Sequence, residues 1–217
     1  SGRPIIGILG EFDANAGISQ KRKPIKEARI PGGAGHGCGH NLFGTASLGA
    51  AIAIKEQIEK GNIKGTVIFY GTPAEETIFA KVWMVREGLF DKLDVCMDWH
   101  PGDEIEAGTQ SSKSLVDFRV KFRGSSAHAS SDPWNGKSAA DAMELYTTGL
   151  NYYREHIEPT ARIHYQIEKA GDVVNVVPDY AQIWTRLRQN NRAGVDVLYE
   201  RALDIAKGAA LMTGTTY

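Results

Sequence analysis

The chain has 217 residues, of which 42% are hydrophobic and 24% charged, with a formal net charge of −1. These proportions are typical of a globular protein with one large or two small domains. The balanced charge argues against nucleic acid or a membrane surface as a partner, and no apolar run approaches the roughly 20 residues that span a bilayer.

The first hundred residues alternate short apolar runs with amphipathic stretches. Three buried strands are predicted, at 4–10, 67–70 and 93–97. Two helices are predicted, at 43–60 and 78–87, and a long loop at 14–41. This order is typical of an α/β fold with a parallel sheet. Polar residues that follow its strands then gather at the carboxyl edge, where such sheets bind ligands.

After Gly108 the pattern changes. Strands are predicted at 114–122, 161–169 and 180–188, and helices at 137–155 and 194–210. The order β-α-β-β-α is one strand short of a ferredoxin-like unit. We therefore expect two domains, at 1–112 and 113–217. The helix at 137–155 carries an apolar stripe that either fills the core of its domain or forms a pairing surface: Ala139, Met143, Tyr146, Leu150 and Tyr153.

Three short segments carry candidate catalytic or metal-binding residues. Cys38 lies between two glycines and His40 follows the second of them. Glu75 and Glu76 follow the second strand, and His100 follows the third. Thiolate, imidazole and carboxylate are ligands of zinc, manganese, cobalt and nickel. A second carboxylate beside a ligand can accept a proton from water as a general base. Alone, each segment also has a structural reading, as a glycine-rich turn, a solvated acid pair or a packed histidine; together they favour a metal site.

Five motifs occur in order along the chain: Cys-Gly-His at 38–40, Pro-Ala-Glu-Glu at 73–76, His100, Ala-His at 127–128 and Asn-Val-Val-Pro at 175–178. This set resembles the amidohydrolase family of metallopeptidases, which includes aminoacylases, carboxypeptidase G-like enzymes and auxin-conjugate hydrolases. The run at 36–44 is most similar to the p-aminobenzoyl-glutamate hydrolase type within that family. Asn41 departs from the aspartate that many relatives have at this position.

The resemblance implies two divalent metal ions, zinc or manganese first and cobalt or nickel next. It assigns them four ligands: Cys38, His40, Glu76 and His100. Glu75 would be the general base, and His128 would polarise the scissile carbonyl. Asn175 and Arg188 would bind the substrate. Asp13 resembles the family aspartate near the metal histidines. From the residues alone, His36 is a third candidate ligand, although a place beside the ligands is favoured for it.

The implied fold is an α/β catalytic domain at 1–112 and a ferredoxin-like α+β lid or dimerisation domain at 113–217. The implied reaction is metal-dependent hydrolysis of the amide bond of N-acyl or N-aroyl amino acids, such as p-aminobenzoyl-glutamate, or of small dipeptides. The family adds a metal-ligand histidine from a C-terminal segment. We therefore expect this chain to be an internal part of a longer enzyme and to have little activity alone. We expect a homodimer formed through the lid, with His128 acting in the neighbouring protomer.

Two other functions stay open at this point. Cys38 could be the nucleophile of a cysteine hydrolase, which an alkylating agent rather than a chelator would inhibit. The chain could also be a non-catalytic metal-binding or dimerisation module, although such a module has no need of the extra carboxylate of Glu75. With only two cysteines, Cys38 and Cys96, we expect free thiols in a reducing cytoplasm.

Overall fold

The computed structural model of the chain describes residues 2–109 and 111–217. The chain folds as two compact units, one up to Ala107 and one from Gly108, and each has its own three-stranded sheet. The division expected from the sequence lies a few residues later, between 112 and 113. Within the described residues no helix combines the length and the apolarity that crossing a membrane requires.

The first unit is an α/β unit with a parallel sheet, which confirms the predicted fold class. Its elements are, in chain order, β1 (Ile5–Glu11), α1 (His40–Glu59), β2 (Thr66–Thr72), α2 (Glu75–Ile78), α3 (Ala80–Arg86) and β3 (Val95–Met97). The strand order is β2-β1-β3, and both outer strands run parallel to β1. Residues 12–39 form the long loop predicted between the first strand and the first helix.

The register of this sheet brings the polar strand ends together. Glu11 is opposite Thr72, so β1 and β2 end at the same level, and Ile8 is opposite Met97 at the end of β3. The residues that follow each strand therefore emerge at one edge of the sheet. This edge carries most of the residues expected to bind metal.

Three predicted elements of the first unit differ from the structure. The helix predicted at 78–87 is divided into α2 and α3, because Phe79 between them adopts a left-handed conformation with φ 53°. The third strand is shorter than predicted, and its three residues are exposed rather than buried. The first helix begins earlier than predicted, so that His40 is its first residue and not part of the loop.

The second unit has the predicted β-α-β-β-α order. It consists of β4 (Ser114–Arg123), α4 (Ala139–Tyr153), β5 (Arg162–Ala170), β6 (Tyr180–Gln189) and α5 (Arg192–Thr213). The sheet is antiparallel, with β6 between β4 and β5. Single turns of 3₁₀ helix at 133–135 and 154–156 flank α4.

The helices of the second unit pack on one face of its sheet. Alternate residues of β6 are buried, and Ile183 and Leu187 meet side chains of α4 and α5 in a single core. The apolar stripe of α4 belongs to this core: Tyr146 and Leu150 are fully buried, and Tyr153 packs against its margin. The stripe is therefore not free to serve as a pairing surface.

Tyr146 couples the stability of this core to alkaline pH. Its hydroxyl is buried 3.3 Å from Thr185 Oγ1, and burial raises the pKa of Tyr146 to about 12. An unfolded tyrosine ionises near pH 10, so the unfolded chain loses this proton first and stability falls as the pH rises from about 10 to about 12. We expect Tyr146 to account for a loss of about 2 kcal/mol in the free energy of unfolding by about pH 11.5.

Urea unfolding at about pH 9.5 and about pH 11.5 measures this loss. Tyr146→Phe should lose less stability between the two pH values than the wild type does. Tyr152→Phe is the control, because Tyr152 lies on the same helix and is 74% exposed. Equal losses in all three proteins would contradict the prediction.

Candidate metal centre

His40 is the central residue of the candidate site. Its ring is 1% exposed, and it begins α1 directly after Gly39. Nδ1 is hydrogen-bonded to Asp13 Oδ1 at 3.0 Å, and Nε2 lies 2.9 Å from Glu11 Oε2 without the alignment of a hydrogen bond. The other oxygen of Asp13 accepts the backbone N–H of Glu76 at 2.9 Å. Asp13 therefore fixes both the imidazole and the start of α2.

The thiol and the two expected histidine ligands meet in this structure. Cys38 Sγ is 3.2 Å from His100 Nε2, and one donor atom each of Cys38, His40 and His100 lies within 4.8 Å of the others. Around one tetrahedral zinc ion, ligand atoms at about 2.0–2.3 Å from the metal lie about 3.3–3.8 Å from one another. The three donor atoms, with one pair already 3.2 Å apart, therefore need only a small closing movement to hold one divalent ion.

Two buried side-chain atoms beside these residues have no hydrogen-bond partner, His40 Nε2 and Glu76 Oε1. Buried polar atoms are seldom left without a partner. A bound cation would accept an electron pair from each of them. The residues present therefore fit the metal that the sequence motifs imply.

The site is strongly acidic. The pKa of the Cys38 thiol is raised by burial and by the carboxylates of Glu76, Glu75 and Glu11. The pKa of Glu75 is raised by burial, and then by Glu11 and Glu76. Excess negative charge of this kind favours a positive occupant, and a bound cation would favour the thiolate form of Cys38.

Two backbone features hold the segments in place. Gly39 has φ 79°, and a Cβ there would lie 2.8 Å from Pro101, next to His100. The segments carrying His40 and His100 can therefore approach only because residue 39 is glycine. Ala74, just before Glu75, has φ 55°, a strained conformation for a residue other than glycine.

The structure assembles a slightly different set of residues from the predicted one. Glu11 was not predicted, because an acid that ends an apolar strand gives the same sequence pattern whether it is buried or begins a solvated loop. It forms a second close set with His40 and Glu75. Glu76 is in neither set, although it interacts with Cys38. His36 is exposed and also belongs to neither.

The predicted site residues of the second unit lie in two places. His128 forms a bridge with Val176, and the N–H of Ala129 donates to the carbonyl of Asn175 at 3.0 Å, so His128 and Asn175 are neighbours. Arg188 lies towards the far end of β6, opposite Leu115 and Arg162.

The spacing along β6 separates these two places. Eight residues of strand, from Tyr180 to Arg188, correspond to about 26 Å. Within the second unit, therefore, Arg188 is not brought together with His128 and Asn175. The Nε atom of Arg188 is buried without a hydrogen-bond partner.

Comparison with known proteins places this geometry in a family. The profile described as peptidase family M20/M25/M40 matches residues 9–210. The chain is 45% identical over 219 residues to one of the p-aminobenzoyl-glutamate hydrolase subunits of Escherichia coli, a match covering 99% of this chain and 45% of that protein. It is 32% identical over 218 residues to human Xaa-Arg dipeptidase, covering 99% of this chain and 46% of that protein. The chain thus spans about half the length of these curated relatives.

Solved structures share the fold. An aminobenzoyl-glutamate utilization protein from Klebsiella pneumoniae matches 98% of this chain and 49% of its own, with a TM-score of 0.64 and 24% identity. A dinuclear metal-binding peptidase of the M20 family from Bacillus subtilis matches 99% of this chain and 56% of its own, with a TM-score of 0.62 and 22% identity. These matches confirm the predicted resemblance and fold class.

The loop after His128 fixes which nitrogen of its ring carries the proton. Nδ1 accepts the backbone N–H groups of Ser130 and Ser131 at 3.2 and 3.3 Å, so neutral His128 must carry its proton on Nε2. Asp132 closes the loop by accepting the N–H of His128 at 3.1 Å.

We expect ¹⁵N NMR to show the Nε2–H tautomer of His128, and Asp132→Ala to give a mixture of tautomers. Asp172→Ala, an exposed change in the same unit, should leave the tautomer unchanged; a mixture already present in the wild type would contradict the prediction.

Proposed function

The chain belongs to peptidase family M20/M25/M40, and from this membership we propose that it forms the metal-binding part of an enzyme that hydrolyses the amide bond of N-acyl or N-aroyl amino acids. The observation that carries the proposal is the convergence of Cys38, His40 and His100 beside the paired carboxylates of Glu75 and Glu76. Small dipeptides are the second substrate class. The reducing cytoplasm is the proposed compartment, in keeping with the two free cysteines.

Four side chains would hold a pair of divalent ions: Cys38, His40, Glu76 and His100. Sulfur, nitrogen and oxygen donors in one site suit zinc or manganese, and also cobalt or nickel. When bound, such ions polarise a carbonyl group and make water acidic enough to lose a proton near neutral pH. The unpartnered atoms His40 Nε2 and Glu76 Oε1 support this assignment.

Glu75 is the proposed general base. Its raised pKa brings the carboxylate closer to the range in which a base exchanges protons efficiently at neutral pH. It would accept a proton from the attacking water and pass it to the leaving amine. His128, with its proton on Nε2, would donate a hydrogen bond to the developing oxyanion.

The substrate class is proposed from the relatives and from Arg188. One relative is named for p-aminobenzoyl-glutamate and another for Xaa-Arg dipeptides, and hydrolysis of either type releases an amino acid. A guanidinium group binds the carboxylate of such a product through two parallel hydrogen bonds. Arg188, with an unpartnered buried Nε, is suited to this role, and Asn175 beside His128 would bind the scissile amide.

The separation of Arg188 from His128 supports a dimer. About 26 Å of strand lies between Arg188 and the start of β6, which follows the segment that bridges His128 at Val176. This distance is longer than an N-aroyl amino acid. One copy of the second unit therefore cannot bring both residues to the same small substrate. We propose a homodimer, formed through the second unit, in which His128 serves the site of the neighbouring chain.

The contact between Cys38 and His100 favours a second candidate, a cysteine hydrolase. Their 3.2 Å separation is that of a nucleophile and its base. However, reactive cysteines have a lowered pKa, whereas burial and then the surrounding carboxylates raise the pKa of Cys38. Assaying p-aminobenzoyl-glutamate hydrolysis by the full-length protein that carries this chain separates the two: the metal mechanism requires that a chelator abolish turnover and added zinc or manganese restore it.

Glu75→Gln tests the assignment of the base. The amide keeps the shape of the side chain but cannot accept the proton, so kcat should fall about 10²–10⁴-fold. The bound metal, measured by elemental analysis, should change little.

Glu76→Gln is the matched variant on the adjacent residue and should lose metal. If Glu75→Gln loses metal while Glu76→Gln retains it, the two roles are exchanged. If both variants keep metal and activity, the carboxylate pair has neither role.

Mixing two inactive variants tests the shared site. Full-length His128→Ala should lose about 10²–10³ in kcat, as expected for loss of one oxyanion donor, and Glu75→Gln supplies an intact His128. Heterodimers of the two carry one complete site if His128 acts across the dimer, so mixing should restore part of the activity. Heterodimers that form without restoring activity would show that His128 acts in its own chain.

A further inference from the structure

Glu11 is a buried carboxylate for which the proposed reaction has no role. It is the last residue of β1 and is 4% exposed. Burying an ionised carboxylate is costly unless positive charge lies beside it. Its two oxygens have different neighbours: Oε1 forms an ion pair with Lys81, and Oε2 lies 2.9 Å from His40 Nε2.

The contact between Glu11 Oε2 and His40 Nε2 is close, but it is not a hydrogen bond. Nε2 is buried and has no correctly aligned partner. On the opposite side of the ring, Nδ1 is hydrogen-bonded to Asp13. A carboxylate that accepts a hydrogen bond from one ring nitrogen keeps the proton on that nitrogen. The lone pair of the other nitrogen is then available to a metal. Glu11 and His40 therefore direct electron pairs into the same small space.

Glu75 also borders this space. Donor atoms of Glu11, His40 and Glu75 all lie within 4.8 Å of one another. Ligand atoms of one tetrahedral divalent ion lie about 3.3–3.8 Å apart, so a small closing movement would bring all three donor atoms to one ion. We propose that Glu11 is a direct ligand of the cation that His40 Nε2 binds. The proposal rests on metal binding in the proposed function, but not on its substrate or its reaction.

Lys81 competes with the cation for this carboxylate. It projects from α3 with a side chain that is 30% exposed, and its ammonium group forms the ion pair with Glu11. The ammonium neutralises Glu11 when no metal is bound. It also weakens the attraction of Glu11 for a second positive charge. Removing the ammonium should therefore strengthen the effect of metal on stability.

The test compares the Zn²⁺ affinity of the 217-residue chain with that of Glu11→Gln and Glu11→His, in competition with a chromophoric chelator. Loss of a partner that only orients a ligand costs about 10–100-fold in metal affinity, so loss of a direct ligand should cost about 100-fold or more. Glu11→His restores a ligand and should recover to within about tenfold of the wild type. Glu27→Gln is the matched control, because Glu27 lies in the 12–39 loop, paired with Lys21 and Lys23, and its loss should leave Zn²⁺ affinity unchanged.

Three results would overturn the proposal: unchanged affinity in Glu11→Gln, equal weakness of the Gln and His variants, or no Zn²⁺ binding by the wild-type chain. If circular dichroism shows that neither Glu11 variant folds, the proposal is tested instead by thermal unfolding of Lys81→Met with and without Zn²⁺. Zn²⁺ should raise its Tm more than that of the wild type, and an equal shift would count against the proposal. Because no step measures hydrolysis, failure of the enzyme to cleave the proposed substrates would leave this result intact.

Discussion

Each ring nitrogen of His40 lies within 3.0 Å of a carboxylate oxygen, with Asp13 at Nδ1 and Glu11 at Nε2. Glu11 ends β1, Asp13 follows it, and His40 begins α1, so one buried imidazole ties the strand to the helix. Asp13 extends the connection to α2 through the N–H of Glu76. The positions of the other polar groups at this edge of the sheet thus depend on His40. Removing its ring would take one neighbour from each carboxylate, leaving Glu11 with Lys81 and Asp13 with the N–H of Glu76.

The two units satisfy their polar groups in different ways. In the first unit two buried atoms beside the candidate ligands, His40 Nε2 and Glu76 Oε1, have no hydrogen bond. In the second unit Arg186 forms a two-bonded contact with Asp117, whereas Nε of Arg188 is buried without a partner. The helices and strands of this unit share one apolar core. Two unpaired buried atoms of the first unit thus lie among the candidate metal ligands, whereas the second unit packs around one apolar core.

The sequence predicted the sheet and the meeting of Cys38, His40 and His100 because strand periodicity and strand ends are local signals. It did not reveal Glu11, since an acid after an apolar strand looks like the first solvated residue of a loop. The break at Phe79 was also missed, because the helical pattern continues across it. Periodicity identified the apolar face of α4 but could not show whether the core or a second chain covers it. The sequence of a helix does not reveal which other element packs on its apolar face.

The order β2-β1-β3 has a consequence for how the protein is made. Ile5 pairs with Thr66 and Ile6 with Val95, so β1 must wait for partners roughly sixty and ninety residues later in the chain, and such long-range pairing folds slowly. Cys38 and His100 are 62 residues apart. At a synthesis rate of about 5–20 residues per second, the thiol leaves the ribosome roughly 3–12 s before its histidine partner. During that interval the Cys38 thiol lacks the partner that faces it in the folded protein, and a metal site that needs both residues can form only after His100 has been made.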